Sequence, residues 1–254
     1  MAHCLLTDNI TMTRNIIPCR RCGRRTFLSS ALTGVMSFSS SLSAQWTQPS
    51  AVLSKEQRDR MTPARVIEAL KKGNERFRTE GMISTNYQQQ RRESASGQFP
   101  AAVVLGCVDS RVPAEIIFDA RLGDMFNTRV AGNVVDDDVL GSLEFACAVA
   151  GAKVVLLFGH TACGAVKGAI DDVSLGHLTG LLDRIKPAIP ATAFTGDRSG
   201  KNAAFVDAVA RTHVRLGMED IRQRSPILAD REKKGLIQIA GAMYDLATGM
   251  VEFV

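Results

Sequence analysis

The chain contains two apolar runs that lead directly into reactive side chains: AAVVLGCVDSR at residues 101–111 and VVLLFGHTAC at residues 154–163. Short, continuous apolar runs of this kind are typical of strands that are buried on both faces of a parallel sheet. In open α/β sheets, ligands bind outside the carboxyl ends of the strands. Both reactive segments are therefore predicted to lie at that edge of a parallel sheet.

Strand and helix patterns alternate from residue 62 onwards. Thr62 is suited to a helix N-cap and Pro63 to the first helical position, so a helix is predicted to begin there. The pattern indicates one α/β domain with a central, mainly parallel sheet that is flanked by helices on both faces. Further strands are predicted at 125–130, 236–239 and 250–253, the last two joined by a turn at 245–249, and further helices at 140–150, 164–171, 178–186 and 202–224.

The predicted helix at 140–150 follows three consecutive acidic residues, 136–138, which suit the start of a helix better than a calcium site. Its apolar face is expected to bury four side chains, those of Leu143, Phe145, Ala146 and Val149.

The N-terminal part of the chain resembles a removable export signal. Arg24 and Arg25 precede a short, weakly apolar stretch and the small residues at 41–44, which is the pattern of a twin-arginine signal peptide. The expected organisation is a signal at 1–44, a linker at 45–61 and one domain at 62–254. The mature protein is accordingly expected in the periplasm or otherwise exported, and in the cytoplasm if residues 1–44 are instead a disordered basic tail.

The charge distribution argues against a nucleic-acid partner. The 254 residues carry a net charge of +5, of which five arginines and one aspartate within residues 1–44 contribute +4. The remaining charges alternate in sign as on a solvated surface. No apolar run reaches the roughly 18 residues that a spanning helix needs, so no stable membrane span is expected.

Cysteine usage indicates a metal site. Outside the predicted signal and linker, the chain has Cys107, Cys147 and Cys163, an odd number in a medium-sized domain. Two thiolates from Cys107 and Cys163 and one imidazole from His160 would give a tetrahedral zinc three protein ligands and one open position, the pattern of catalytic sites. Alternatively, Cys107 and Cys163 are buried thiols or form a disulfide. Cys147 is expected to be a buried thiol, and His213 a helix-surface residue.

The segments Cys-x-Asp-Ser-Arg at 107–111 and His-x-x-Cys-Gly at 160–164 resemble those of the β-class carbonic anhydrases. The segments at 129–133 and 141–146 also resemble that family, and the likeness covers about residues 62 to 254. It implies a zinc ion bound by Cys107, His160 and Cys163, with Asp109 and Arg111 as a catalytic ion pair beside it. If the pair opens, Asp109 becomes a fourth metal ligand. The resemblance also assigns substrate contacts to Gln98 and Gly164.

The activity implied by this resemblance is the reversible hydration of carbon dioxide to bicarbonate and a proton, a lyase reaction in which a zinc-bound hydroxide attacks the substrate. A homodimer or higher homo-oligomer is also implied, with the active site near the interface and the N-terminal helices around the partner. Two alternatives stay open: a hydrolase of carbonyl sulfide or carbon disulfide on the same scaffold, and a non-catalytic binding protein that zinc stabilises.

Overall fold

The structure is a computed structural model that describes residues 52–254. The predicted signal and the first part of the predicted linker lie outside the described residues. The strands are β1 (Ala102–Gly106), β2 (Met125–Arg129), β3 (Val154–His160), β4 (Gln238–Tyr244) and β5 (Val251–Phe253). The helices are α1 (Lys55–Asp59), α2 (Pro63–Arg78), α3 (Tyr87–Ser94), α4 (Ala114–Ile117), α5 (Asp137–Glu144), α6 (Gly164–Ile170), α7 (Gly176–Asp183), α8 (Ala188–Ala191), α9 (Ala203–Arg224) and α10 (Pro226–Lys233).

The strands form one sheet in the order β2-β1-β3-β4-β5. The pairs β1/β2, β1/β3 and β3/β4 are parallel, whereas β5 runs antiparallel to β4. The reversal uses the turn predicted at 245–249, in which Asp245 Oδ1 accepts hydrogen bonds from the amides of Ala247 and Thr248. Gly106 pairs with Phe158, so the residues that follow β1 lie beside the end of β3.

Side chains alternate between two cores because successive residues of a strand point to opposite faces of the sheet. On one face, Val103, Leu105, Val155 and Leu157 pack with residues of α5, α6 and α9. On the other, the alternate strand residues pack with Val66, Ile67 and Leu70 of α2 and with Ile117 of α4. The predicted fold class, a mainly parallel sheet flanked by helices, is confirmed.

Capping residues set the helix starts that the sequence indicated. Thr62 accepts a hydrogen bond from the Arg65 amide, and α2 begins at Pro63. Asn202 caps α9 by accepting from the Ala204 amide at 3.2 Å. Asp136 caps α5 in the same way, so the acidic residues do open that helix.

The predicted helix at 140–150 is wrong in its second half. The α-helix ends at Glu144 and a π-helical turn occupies Phe145–Val149. The extra residue in that turn changes which side chains face the core. Leu143 and Ala146 are buried as expected, but Phe145 and Val149 are 52% and 75% exposed.

The folded part also begins earlier than the predicted boundary at residue 62. Residues 55–59, predicted as linker, form α1, which has a capping box between Ser54 and Gln57. Leu53 is buried in the same core as α2, which ties this segment to the domain. Among the described residues, no helix is long and apolar enough to cross a membrane.

Candidate metal centre

Three buried side chains converge where β1 and β3 end. Cys107 directly follows β1, His160 is the last residue of β3, and Cys163 precedes α6. The sulfur atoms and a ring nitrogen of these residues all lie within 4.8 Å of one another. The two reactive segments of the sequence therefore form a single cluster of two sulfurs and one nitrogen.

The hydrogen bonds of His160 fix which ring nitrogen faces the cluster. Its Nδ1 is 2.9 Å from the carbonyl oxygen of Thr161, and a carbonyl only accepts, so Nδ1 carries the proton. Nε2 is then a bare acceptor, and it is buried without a hydrogen-bond partner in the described part of the chain. A lone pair desolvated in this way is costly unless it has a partner, and a cation held by the two sulfurs would be one.

The two thiols favour opposite protonation states. The hydrogen bond between the two thiols is the main cause that lowers the pKa of Cys107. The same hydrogen bond, together with burial, raises the pKa of Cys163. The Gly132 amide also donates to Cys107 Sγ at 3.3 Å. Two adjacent thiolates repel each other, so full deprotonation of the pair calls for a cation between them. The donor set therefore fits a metal ion.

Asp109 and Arg111 form a two-point ion pair beside the cluster. Arg111 Nε donates to Asp109 Oδ1 at 2.9 Å and Arg111 Nη2 to Oδ2 at 2.8 Å, while the Arg111 amide adds a third bond to Oδ1. The guanidinium holds the pKa of Asp109 well below its ordinary range. Asp109 Oδ2 lies 4.0 Å from His160 Nε2, which places the carboxylate at the side of the cluster.

Backbone contacts hold the loops that carry these residues. Arg129, at the end of β2, donates to the carbonyl oxygens of both Cys107 and Asp109. Ala162 has a φ of +55°, a left-handed conformation that is unusual for alanine. Asp207 Oδ1 on α9 accepts from the Ala162 amide at 2.8 Å, and this bond holds the loop between His160 and Cys163.

Comparisons with known proteins show which family the chain belongs to. A sequence profile of the family described as "Carbonic anhydrase" matches residues 102–251. Carbonic anhydrase 2 of Mycobacterium tuberculosis is 38% identical over 74% of this chain and 90% of its own length, and a carbonic anhydrase of Mycolicibacterium smegmatis is 38% identical over 75% and 92%. This chain belongs to the carbonic anhydrase family.

Solved structures place the chain in the β class of carbonic anhydrases. A tetrameric β-carbonic anhydrase of Sordaria macrospora is 25% identical, with a TM-score of 0.58 over 66% of this chain and 88% of its own. A β-carbonic anhydrase of Aspergillus fumigatus is 26% identical, with a TM-score of 0.58 over 75% and 89%. The protein is thus an enzyme of the β-carbonic anhydrase family.

Two site residues assigned by the resemblance lie outside the buried cluster. Gln98 is exposed in the loop before β1. Gly164 directly follows Cys163 as the first residue of α6, and a Cβ built on it would meet no atom within 4 Å. Of the two, only Gly164 is adjacent in sequence to a residue of the cluster. The space at its Cβ position is open.

His213 was expected on the helix surface, and this expectation is wrong. The residue is 7% exposed, and its Nε2 is 2.9 Å from the carbonyl oxygen of Gly132. Periodicity on α9 did not indicate this, because α9 is buried on much of its circumference. The sequence also did not indicate that Arg129 and Asp207 hold the loops of the cluster, because each hydrogen-bonds to backbone groups that are distant in sequence.

Proposed function

We propose that this β-carbonic anhydrase catalyses the reversible hydration of carbon dioxide to bicarbonate and a proton, with zinc held by Cys107, His160 and Cys163. The observation that carries the proposal is the buried cluster of two thiols and one unpartnered imidazole nitrogen. Two sulfurs and one nitrogen are ligands that zinc prefers, and three protein ligands leave a position for water. When bound, zinc would supply a Lewis acid that lowers the pKa of a coordinated water.

Asp109 is proposed as the hydrogen-bond acceptor that orients the reacting water. Its two oxygens are held by Arg111, and the ionised carboxylate can only accept hydrogen bonds. Oδ2 faces the cluster at 4.0 Å from His160 Nε2, so a molecule there lies within reach of the carboxylate. If the ion pair opens, the same oxygen is free to become a fourth metal ligand, which would close the site.

Arg111 is proposed to keep Asp109 in its accepting position. Its side chain is 59% exposed and therefore lies at the solvent side of the site. A bidentate guanidinium–carboxylate ion pair fixes both the position of the carboxylate and the orientation of its plane. By similarity to the family, Gln98 and Gly164 are proposed as substrate contacts at this entrance.

The test is a metal analysis joined to a carbon dioxide hydration assay on protein beginning at Gln45. We expect one zinc per subunit, lost together with activity in Cys163→Ala. The matched control is Cys147→Ala, because Cys147 is an equally buried thiol whose surroundings are apolar and raise its pKa to about 12. Loss of zinc in Cys147→Ala with retention in Cys163→Ala would contradict the assignment. Faster hydrolysis of carbonyl sulfide than hydration of carbon dioxide would favour the alternative substrate.

We also propose that the protein is a homo-oligomer. β2 forms one edge of the sheet made by the described residues, and the exposed Phe145 packs edge-on against Phe126 of that strand. A groove of about 380 Å³ beside these two rings is lined by apolar and small polar residues and by the acidic Asp137 and Asp138. Exposed apolar surface beside a sheet edge suits contact with a second copy. The assembly is tested by measuring the mass in solution.

The N-terminal segment is proposed as a twin-arginine export signal at 1–44, which would deliver the folded enzyme to the periplasm. Its basis is the Arg24-Arg25 pair and the following stretch of small and apolar residues. Export after folding suits a metal site whose ligands come from separate strand ends, since such a site exists only in the folded chain. The folded domain is proposed to begin near Leu53.

A further inference from the structure

One buried imidazole has no part in the chemistry described above. His213 lies in the middle of α9, and its Nε2 is 2.9 Å from the carbonyl oxygen of Gly132. Because a carbonyl only accepts hydrogen bonds, Nε2 must carry a proton and donate it. Burial also lowers the pKa of His213, which favours the neutral ring. The imidazole is thus a fixed donor to one backbone oxygen.

The residue that His213 holds belongs to an unusual turn. Gly132 has a φ of +65° and Asn133, the next residue, a φ of +44°, so two successive residues are left-handed. A Cβ on Gly132 would lie 2.5 Å from Ile185 Cδ1, which shows how closely the turn is confined. The amide of the same Gly132 donates to Cys107 Sγ at 3.3 Å. The orientation of this turn therefore decides whether an N–H faces the sulfur.

Helix α9 is a rigid base for such a contact because it approaches β3 closely. A Cβ on Gly217 would lie 2.6 Å from Leu157 Cδ2, and a Cβ on Gly159 would lie 2.7 Å from Val214 Cγ2. The lack of side chains at these two glycines lets the helix and the strand touch. His213 is therefore fixed relative to the strand that ends in His160.

We propose that His213 is a positioning residue of the metal centre. By holding the Gly132 carbonyl, it keeps the Gly132 amide on Cys107 Sγ and so fixes the direction and the donor strength of that sulfur. The inference rests on the proposed metal site at Cys107, His160 and Cys163. Hydrogen bonds from outside the ligand set orient metal ligands, and their loss typically weakens metal binding about 10–100-fold.

The decisive comparison is between His213→Gln and His213→Asn. The terminal amide of glutamine reaches the place of Nε2, whereas that of asparagine ends near the place of Nδ1 and falls short of the Gly132 carbonyl. We expect His213→Asn to weaken zinc binding about tenfold in competition with a chelator and to shift the sulfur-to-metal charge-transfer band of the cobalt-substituted protein. His213→Gln should stay close to the unaltered protein in both readouts. Equal zinc affinities and equal spectra for the two variants would overturn the proposal.

Loss of packing is separated from loss of the hydrogen bond by Val209→Ala. Val209 is fully buried on the same helix, and its side chain makes no hydrogen bond to the turn at residues 131–133. This variant should lower the melting temperature without changing the zinc affinity or the cobalt spectrum, and an equal loss of affinity would count against a specific role for His213.

A measurement on the unaltered protein does not depend on how the variants fold. ¹⁵N NMR of the histidine-labelled enzyme should show His213 as a neutral ring protonated at Nε2, and a proton on Nδ1 alone would overturn the proposal. If the unaltered protein binds neither zinc nor cobalt, the proposed function fails and the inference with it. If it binds metal while the Asn and Gln variants match, only the positioning role fails.

Discussion

Replacement of Asp207 should show how strongly α9 supports the loop between His160 and Cys163. Asp207 Oδ1 accepts from the amide of Ala162, whose φ of +55° is a conformation that alanine seldom adopts. A hydrogen bond to a charged group contributes about 1.5–3 kcal/mol to stability. Asp207→Ala removes that bond and leaves a strained residue without its support, so the free energy of unfolding should fall by about that amount.

The matched control for this change is Asp207→Asn. The side-chain carbonyl of asparagine still accepts from the Ala162 amide, but the charge is lost, so the variant should lose only about 1 kcal/mol. For a domain of this size, each kcal/mol lowers the melting temperature by about 2–4 °C, which gives roughly 3–12 °C for the alanine variant.

Thermal unfolding at one fixed protein concentration, with and without zinc, measures both variants. The alanine variant should also release zinc faster to a chelator, since the loop carries two of the three proposed ligands. The reasoning is refuted if Asp207→Ala and Asp207→Asn have equal melting temperatures and equal rates of zinc loss.

Three further predictions concern the ion pair, the assembly and the export signal. Arg111→Ala should reduce carbon dioxide hydration at least about tenfold while leaving the melting temperature nearly unchanged, because the arginine side chain is largely exposed; an active variant would remove Asp109 from its proposed role. Phe145→Glu should lower the mass in solution measured by light scattering, and an unchanged mass would place the interface elsewhere. Exchange of Arg24 and Arg25 for lysine should leave unprocessed protein in the cytoplasm, and normal periplasmic recovery on fractionation would contradict the signal.

Most of the sheet could be predicted from the sequence because apolar runs and turn residues report directly on buried strands. The run at 154–158 and the turn at 245–249 are examples, and both occur as expected. The π-helical turn after Glu144 could not be predicted, because its sequence has the same apolar spacing as a regular helix. In the structure the turn contacts β1, and the ring of Phe145 lies against Phe126 of β2, contacts that the local sequence pattern does not contain.

The three residues of the cluster could be predicted from the sequence, whereas the residues that hold the surrounding loops could not. Cys107, His160 and Cys163 lie at or just after the carboxyl ends of two strands, and these ends share one edge of a parallel sheet. Asp207 and His213 act through the backbone of Ala162 and Gly132, and a backbone group has no sequence signature of its own. Such contacts depend on how closely α9 approaches β3, which is a property of the tertiary structure.

The place of α2 in the fold also decides how the assembly can be tested. The resemblance implied that the N-terminal helices lie around a partner subunit, so removal of residues 62–77 would be expected to impair assembly. In the structure, Val66 and Leu70 of α2 are fully buried against the sheet of the same chain. Asn74 donates to the carbonyl oxygens of Ile117 and Gly249 and accepts from the amide of Val251.

Deletion of α2 would therefore expose one of the two cores to water and remove the side-chain partner of three backbone groups. A lower mass after such a deletion would report unfolding rather than the loss of an interface. A single exposed apolar residue beside the sheet edge, such as Phe145, can be changed without opening either core. The surface substitution is for this reason the informative test of assembly, and α2 should be kept intact in every variant used for it.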